Sequence, residues 1–234
     1  MNKKIFVIAH RGFSGEYFPN SRKALQEAVK LKVDMVEIDI RKSKDHNFVV
    51  FHDENLYRAT NSKGLIKEKT LHELKKVSLK DGSKILSLKE ALGILKNSEI
   101  NLRLKDYLRK EDFILLLKEI KGYEHKILIS SFSYPDLHAL RNLNKKIKIG
   151  INCILPIKKN ISKAAKIKAY SIHPHLSFFI HSFSKLAHQS NIKVFAFTPF
   201  SLHSMKLLID ADVDGIITEF PDKLQEVIKN NDSY

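Results

Sequence analysis

Two carboxylates and a histidine stand at the ends of two apolar runs in the segment Asp34–Asp53, DMVEIDIRKSKDHNFVVFHD. Met35–Ile40 alternates apolar and acidic residues, so in a strand Glu37 and Asp39 project from one face about 7 Å apart. Such a pair can meet one cation or one phosphate site. The second run, Asn47–Phe51, delivers His52 and Asp53 where its apolar pattern stops. Upstream, His10-Arg11-Gly12 follows the apolar run Ile5–Ala9. Arginine forks onto phosphate oxygens, and glycine lets backbone approach closely. Two imidazoles around a phosphodiester can divide the proton transfers, one accepting from the attacking oxygen and one donating to the leaving group. That division contributes roughly 10²–10⁴ in rate.

These residues need a scaffold that brings distant segments together. Short β-type runs alternate with helix-like stretches along the whole chain, the pattern of a mostly parallel sheet. Strands are predicted at Ile5–Ala9, Met35–Ile40, Asn47–Phe51, Ile100–Leu104, Lys126–Ile129, Ile147–Ile151, Ala169–Ile172, Val194–Phe197 and Gly215–Thr218. Helices are predicted at Ser21–Leu31, Ser87–Lys96, Lys110–Ile120, Tyr134–Leu143, Phe178–Gln189, Leu202–Ile209 and Pro221–Ile228. Ser21, Ser87 with Glu90, and Pro221 supply start signals. The expected fold is α/β, a TIM-type (β/α)8 barrel forming a single domain over residues 1–234. Nine strand-like runs compete for eight places, and the pair within Asp34–Asp53 has too little room for a helix between its members. His10, Glu37, Asp39, His52, Lys105, Ser131 and Thr198 fall at or just past strand C-terminal ends, which converge on the catalytic mouth of such a barrel.

A length of 234 residues suits one large α/β unit. The single Cys153 rules out an internal disulfide and any multi-cysteine metal site. The N-terminal apolar run breaks at His10-Arg11 before a signal-peptide core is complete, and no stretch approaches the roughly 20 apolar residues of a membrane span. A soluble, cytoplasmic protein is expected. A formal charge of +15 favours anionic partners: a small phosphorylated substrate first, an anionic membrane surface as an open option, and nucleic acid well below, since no arginine-rich arm, zinc finger or aromatic-glycine RNA motif is present. Phe178, Phe179, Phe197 and Phe200 could wall an apolar moiety, though core packing is the commoner fate of such side chains. His173 and His175 suit pocket or structural roles, and His188 a helix surface. The oligomeric state is not legible.

His10-Arg11-Gly12, Asn20-Ser21, Glu37-Ile38-Asp39, Val50-Phe51-His52-Asp53 and Arg58-Ala59-Thr60-Asn61 together closely resemble the glycerophosphodiester phosphodiesterases. So do Leu86–Leu92, Ile129-Ser130-Ser131-Phe132 and Asp212–Pro221, so the resemblance spans the chain. It implies a TIM-type barrel that hydrolyses glycerophosphodiesters to an alcohol and glycerol 3-phosphate. It further implies that His10 and His52 form the acid/base pair, that Arg11 holds phosphate, that Lys105 closes the strand-four motif, and that Glu37 and Asp39 bind a divalent cation, Mg or Ca. The sequence also departs from the family. Where that motif places glutamate, the third metal ligand, this chain has Arg103; a family glutamate before Asn20 becomes Pro19; and the late tryptophan-threonine-x-asparagine becomes Phe197-Thr198-Pro199-Phe200. A guanidinium repels a cation from its own shell. Arg103 is therefore expected to pair with Glu37 or Asp39 and present donors to phosphate in the metal's stead, leaving the cofactor weakly bound or absent. The alternative is a catalytically inactive family member that binds a phosphorylated ligand.

Overall fold

The computed structural model of the protein describes residues 3–176 and 181–231. Eight parallel strands close into a barrel: β1 (Phe6–His10), β2 (Met35–Lys42), β5 (Glu99–Leu104), β6 (Ile127–Ser131), β7 (Lys148–Cys153), β8 (Ser171–Pro174), β9 (Lys193–Phe197) and β10 (Gly215–Thr218). Closure is made by β1, which pairs with β10 through Ala9↔Thr218 and with β2 through His10↔Glu37. The remaining two strands, β3 (Phe48–Val50) and β4 (Leu86–Ser87), run antiparallel beside β2, through Ile40↔Val50 and Val50↔Leu86. The ninth run, Asn47–Phe51, therefore lies outside the barrel. The turn from β2 to β3 is too short for a crossover helix, so the chain can only double back.

Helices cover the barrel: α1 (Arg22–Lys30), α3 (Leu88–Ile94), α4 (Lys110–Glu119), α5 (Tyr134–Leu143), α6 (Lys158–Lys166), α7 (His181–Gln189), α8 (Leu202–Asp210) and α9 (Pro221–Asn231), with a short α2 (Leu71–Lys76) in the β3–β4 excursion. The start signals hold: Ser21 accepts from Ala24 N, Ser87 and Glu90 form a reciprocal capping box, and Pro221 opens α9. Two helices escaped the sequence reading. In α6, KKNISKAAK, only Ile161 and Ala164 are buried, too thin an apolar stripe to register, and α2 is only six residues long.

Strand alternation sorts side chains into two layers. Outward residues such as Val36, Ile38, Ile40, Ile100, Leu102 and Leu104 pack beneath the helices. Inward residues form an apolar floor of Ile8, Met35, Leu128, Phe195, Phe197 and Ile217. Above that floor the inward positions turn polar, with Glu37, Asp39 and Arg41 on β2 and Asn101 and Arg103 on β5. One side-chain period thus fills the core and builds the mouth.

Candidate active site

The acidic pair and Arg103 face each other because β2 and β5 are adjacent, with Asp39 opposite Arg103 in register. Arg103 Nη1 lies 3.4 Å from Glu37 Oε1, and its Nε lies 3.8 Å from Asp39 Oδ1. Asp39 receives a second guanidinium, with Arg11 Nε 3.0 Å from Oδ2, and Asn20 Nδ2 donates to the same oxygen at 3.1 Å. Asn101 Nδ2 donates to Glu37 Oε2 at 3.3 Å. The loop after β1 can deliver Arg11 here because Gly12 takes φ +78 and lies against α1, where a Cβ would stand 2.6 Å from the Ala24 carbonyl carbon. Burial pushes the Asp39 carboxyl up, but Arg11 and Arg103 outweigh it and hold the group below the usual carboxylate range. Burial likewise works against the Arg103 charge, and Glu37 and Asp39 overcome it. The guanidinium also lies over the Phe132 and Phe197 rings, 5.3 and 5.5 Å from their centroids, which fixes its plane.

The two imidazoles flank this cluster in different settings. His10, on β1, is buried with Nε2 3.7 Å from Glu37 and Nδ1 3.5 Å from Glu219. Both contacts are ion-pair distances, longer than a short hydrogen bond. The His10 ring is the largest influence holding the Glu219 carboxyl below its ordinary range. His52 follows β3; its Nδ1 lies 2.6 Å from Asp53 and its Nε2 3.0 Å from Lys105 Nζ. Burial lowers the His52 pKa, Arg11 and Lys105 lower it further, and Asp39 and Asp53 oppose them. Lys105 is lowered too, mainly by burial, with Arg103, Arg11 and Arg41 adding to it against Asp39. The His52 carbonyl is fixed by Arg41 Nε at 2.9 Å, while Arg41 also pairs with Asp106, which accepts from Lys42 N at 2.7 Å.

The barrel thus brings His10, Arg11, Glu37, Asp39, His52, Arg103 and Lys105 into one constellation. Sequence reasoning missed Glu219, Asn20, Asn101 and the Arg41–Asp106 pair as members of it. Glu219 carried a signal, being a carboxylate directly past the last strand; Asp106 meets Arg41 only through the pairing of β5 with β2. Ser131 is buried at the end of β6, where its hydroxyl accepts from Ser133 N, and Thr198 lies just past β9. His173 is fully buried inside the barrel against the Ser171 hydroxyl at 2.8 Å, and burial followed by Arg103 brings its pKa down to about 3. His175 stacks edge-on with Phe197. His188, on α7, bonds Asp214 at 2.7 Å, far from the mouth. Phe200 is exposed, and Phe178 and Phe179 lie outside the described residues.

Two small cavities open at the mouth. One of about 240 Å³ is lined by Arg11, Asn20, His52 and Arg58, and one of about 190 Å³ by Lys105, Tyr107 and Phe132. A larger one, about 730 Å³, lies at the opposite end among Lys3, Lys4, Asp34 and Asp212 and holds none of this chemistry.

A divalent cation needs several free oxygens at short range. Here Glu37 Oε1 and both Asp39 oxygens already face guanidinium nitrogens at 3.0–3.8 Å. Among the described residues no group of three His, Cys, Asp or Glu side chains converges tightly enough to hold a metal. The donor set therefore does not fit the cation that the resemblance implies.

The chain is similar to known proteins over most of its length. A family model described as glycerophosphoryl diester phosphodiesterase family matches residues 10–223. A glycerophosphodiester phosphodiesterase of Caldanaerobacter subterraneus is 32% identical, over 97% of this chain and 98% of that one. Among solved structures, an Oleispira antarctica phosphodiesterase in complex with the product sn-glycerol-3-phosphate superposes with a TM-score of 0.89, at 28% identity over 95% of this chain and 96% of that one. A Thermotoga maritima glycerophosphodiester phosphodiesterase gives 0.80 at 26% identity, over 98% of this chain and 100% of that one.

Proposed function

The chain belongs to the glycerophosphoryl diester phosphodiesterase family, and from that premise we propose that it hydrolyses glycerophosphodiesters to an alcohol and glycerol 3-phosphate with an arginine, Arg103, in the place of the metal. The observation that carries this reading is the Arg103 guanidinium at 3.4 Å from Glu37, which itself lies 3.7 Å from His10, and at 3.8 Å from Asp39. In the reaction the phosphoryl group faces Arg103, Arg11 and Lys105, whose donors stabilise the charge that builds on its oxygens. Glu37 and Asp39 hold the two arginines in place.

His52 is suited to be the base. With Nδ1–H donated to Asp53, its Nε2 is the acceptor nitrogen, which faces Lys105 Nζ at 3.0 Å in the resting site, and the depressed pKa keeps that nitrogen unprotonated near neutrality. Substrate phosphate draws Lys105 away from Nε2. The base takes the proton of the attacking oxygen as the new P–O bond forms. The old P–O bond then breaks, and its oxygen takes a proton from His10, which Glu37 and Glu219 flank and orient.

The test is release of glycerol 3-phosphate by the purified chain from glycerophosphodiesters. Turnover supports the reading; tight binding of glycerol 3-phosphate with no turnover of any diester contradicts it and assigns the chain to the inactive alternative. A second result follows from the charges around His52. Lys105 and Arg11 help to lower its pKa, so the acid limb of kcat/KM lies below the ordinary histidine value. In Lys105→Ala that limb moves to higher pH, whatever happens to the maximum rate. A limb that stays in place or moves down is inconsistent with His52 as the base.

A further inference from the structure

Between Asp136 and Asp210 the chain has no aspartate or glutamate for 73 residues, and this stretch carries twelve lysines and arginines. It builds α5 through α8 with β7, β8 and β9, so one sector of the barrel presents a single sign of charge. No described helix is long and apolar enough to cross a membrane.

Exposed large apolar side chains gather at one end of that sector and of the two strands before it. Tyr107 follows β5, Phe132 follows β6, Ile154 and Leu155 follow β7, and Phe200 and Leu202 follow β9; each is at least 45% exposed, with Tyr107 at 86% and Phe200 at 83%. Because β5, β6, β7, β8 and β9 are successive neighbours in the sheet, these loops occupy one arc of the rim around the mouth. The loops at the opposite end, residues 144–147, 190–192 and 211–214, carry no exposed large apolar side chain although Lys145 and Lys146 are exposed there. Charge is thus found at both ends, whereas among the described residues the large apolar exposure at the far end is limited to Leu143, the last residue of α5, at 36%.

Local stability does not account for the rim. Ile157 gives α6 no side-chain cap, and Lys158 and Lys159 sit in its first turn, where the helix dipole disfavours cations. Apolar tips that enter the headgroup region, backed by lysines that meet anionic lipid, are the chemistry of interfacial binding. Nucleic acid would use the charge and the aromatic rings but has no use for Ile154 and Leu155.

We propose that this arc of the rim docks on an anionic bilayer, with Ile154, Leu155 and Phe200 inserted and Lys158 and Lys159 at the headgroups, so that the catalytic mouth faces the lipid surface. The surface is independent of whether the site turns over, so its test reads binding alone. The full chain is sedimented with phosphatidylcholine vesicles, with and without phosphatidylglycerol, and its melting is followed to confirm that each variant is folded. The expected result is binding only to the phosphatidylglycerol vesicles. Lys158→Glu/Lys159→Glu should weaken it by roughly thirtyfold or more, since each basic residue lost at such a surface costs roughly fivefold and the new carboxylates add repulsion. Ile154→Asp/Leu155→Asp should weaken it at least comparably, and Lys145→Glu/Lys146→Glu should change it far less. No binding by the wild-type chain overturns the proposal. So does equal weakening by the two charge reversals, or binding of a single-stranded oligonucleotide in preference to vesicles that the apolar double variant leaves unchanged.

Discussion

His10→Ala and His52→Ala each lower kcat by roughly 10²–10⁴, and the double variant is little worse than the poorer single one. The size follows from what each ring is asked to do. A phosphodiester has a poor leaving oxygen and a weak nucleophile near neutrality, so losing either proton transfer stalls the same transition state. Non-additivity follows because base and acid act in one event. Neither ring is a packing residue that would mask the result. His52 is partly exposed, and although His10 is buried, both its ring nitrogens face carboxylates rather than close hydrogen-bond partners. The measurement is glycerol 3-phosphate release under saturating substrate, with melting temperature as the control for folding. Near-normal turnover in either variant would sink the mechanism.

The second large effect belongs to Arg103. Arg103→Ala leaves Glu37 and Asp39, at 2% and 0% exposure and side by side on one face of β2, with one cation fewer. Removing one partner from a buried ion cluster costs about 3–5 kcal/mol, because the remaining charges cannot recover their water. Activity should fall with stability, since the proposed mechanism has the same guanidinium meet the phosphoryl group. Arg103→Glu goes further and supplies the third carboxylate of the family pattern. The variant should be unstable in chelator and gain melting temperature and turnover on addition of Mg or Ca, as any ligand that binds only the folded state must stabilise it. Wild-type protein, with its carboxylate oxygens already facing guanidinium nitrogens, should gain little. Calorimetry with and without the cation reads the difference.

Much of this site could be read before any coordinates. His10, Glu37, Asp39 and Lys105 announce themselves because a polar residue at the end of an apolar run stands out, and the barrel turns that end into a mouth. The odd position of Asn47–Phe51 was also legible, since its spacing from β2 leaves no room for a helix. Contacts made by strand pairing across the fold were not. Glu219 reaches His10 only because β10 pairs with β1, and Asp106 reaches Arg41 only because β5 lies beside β2. Asn101 was hidden for another reason: inside an apolar strand it reads as a polar interruption until its partner Glu37 is in view. The helix α6 was lost because its lysines dilute the apolar period, and those lysines then become informative at the rim.

The proposed role of Arg103, where the resemblance implies a glutamate, is the central claim, and one measurement addresses it. Purified wild-type protein is assayed on a glycerophosphodiester in excess chelator and again with added Mg or Ca. If Arg103 neutralises the charge that a metal would otherwise carry, turnover is the same in all three. Abolition by chelator and restoration by either cation would contradict the account, and Glu37 and Asp39 would then have to be metal ligands after all.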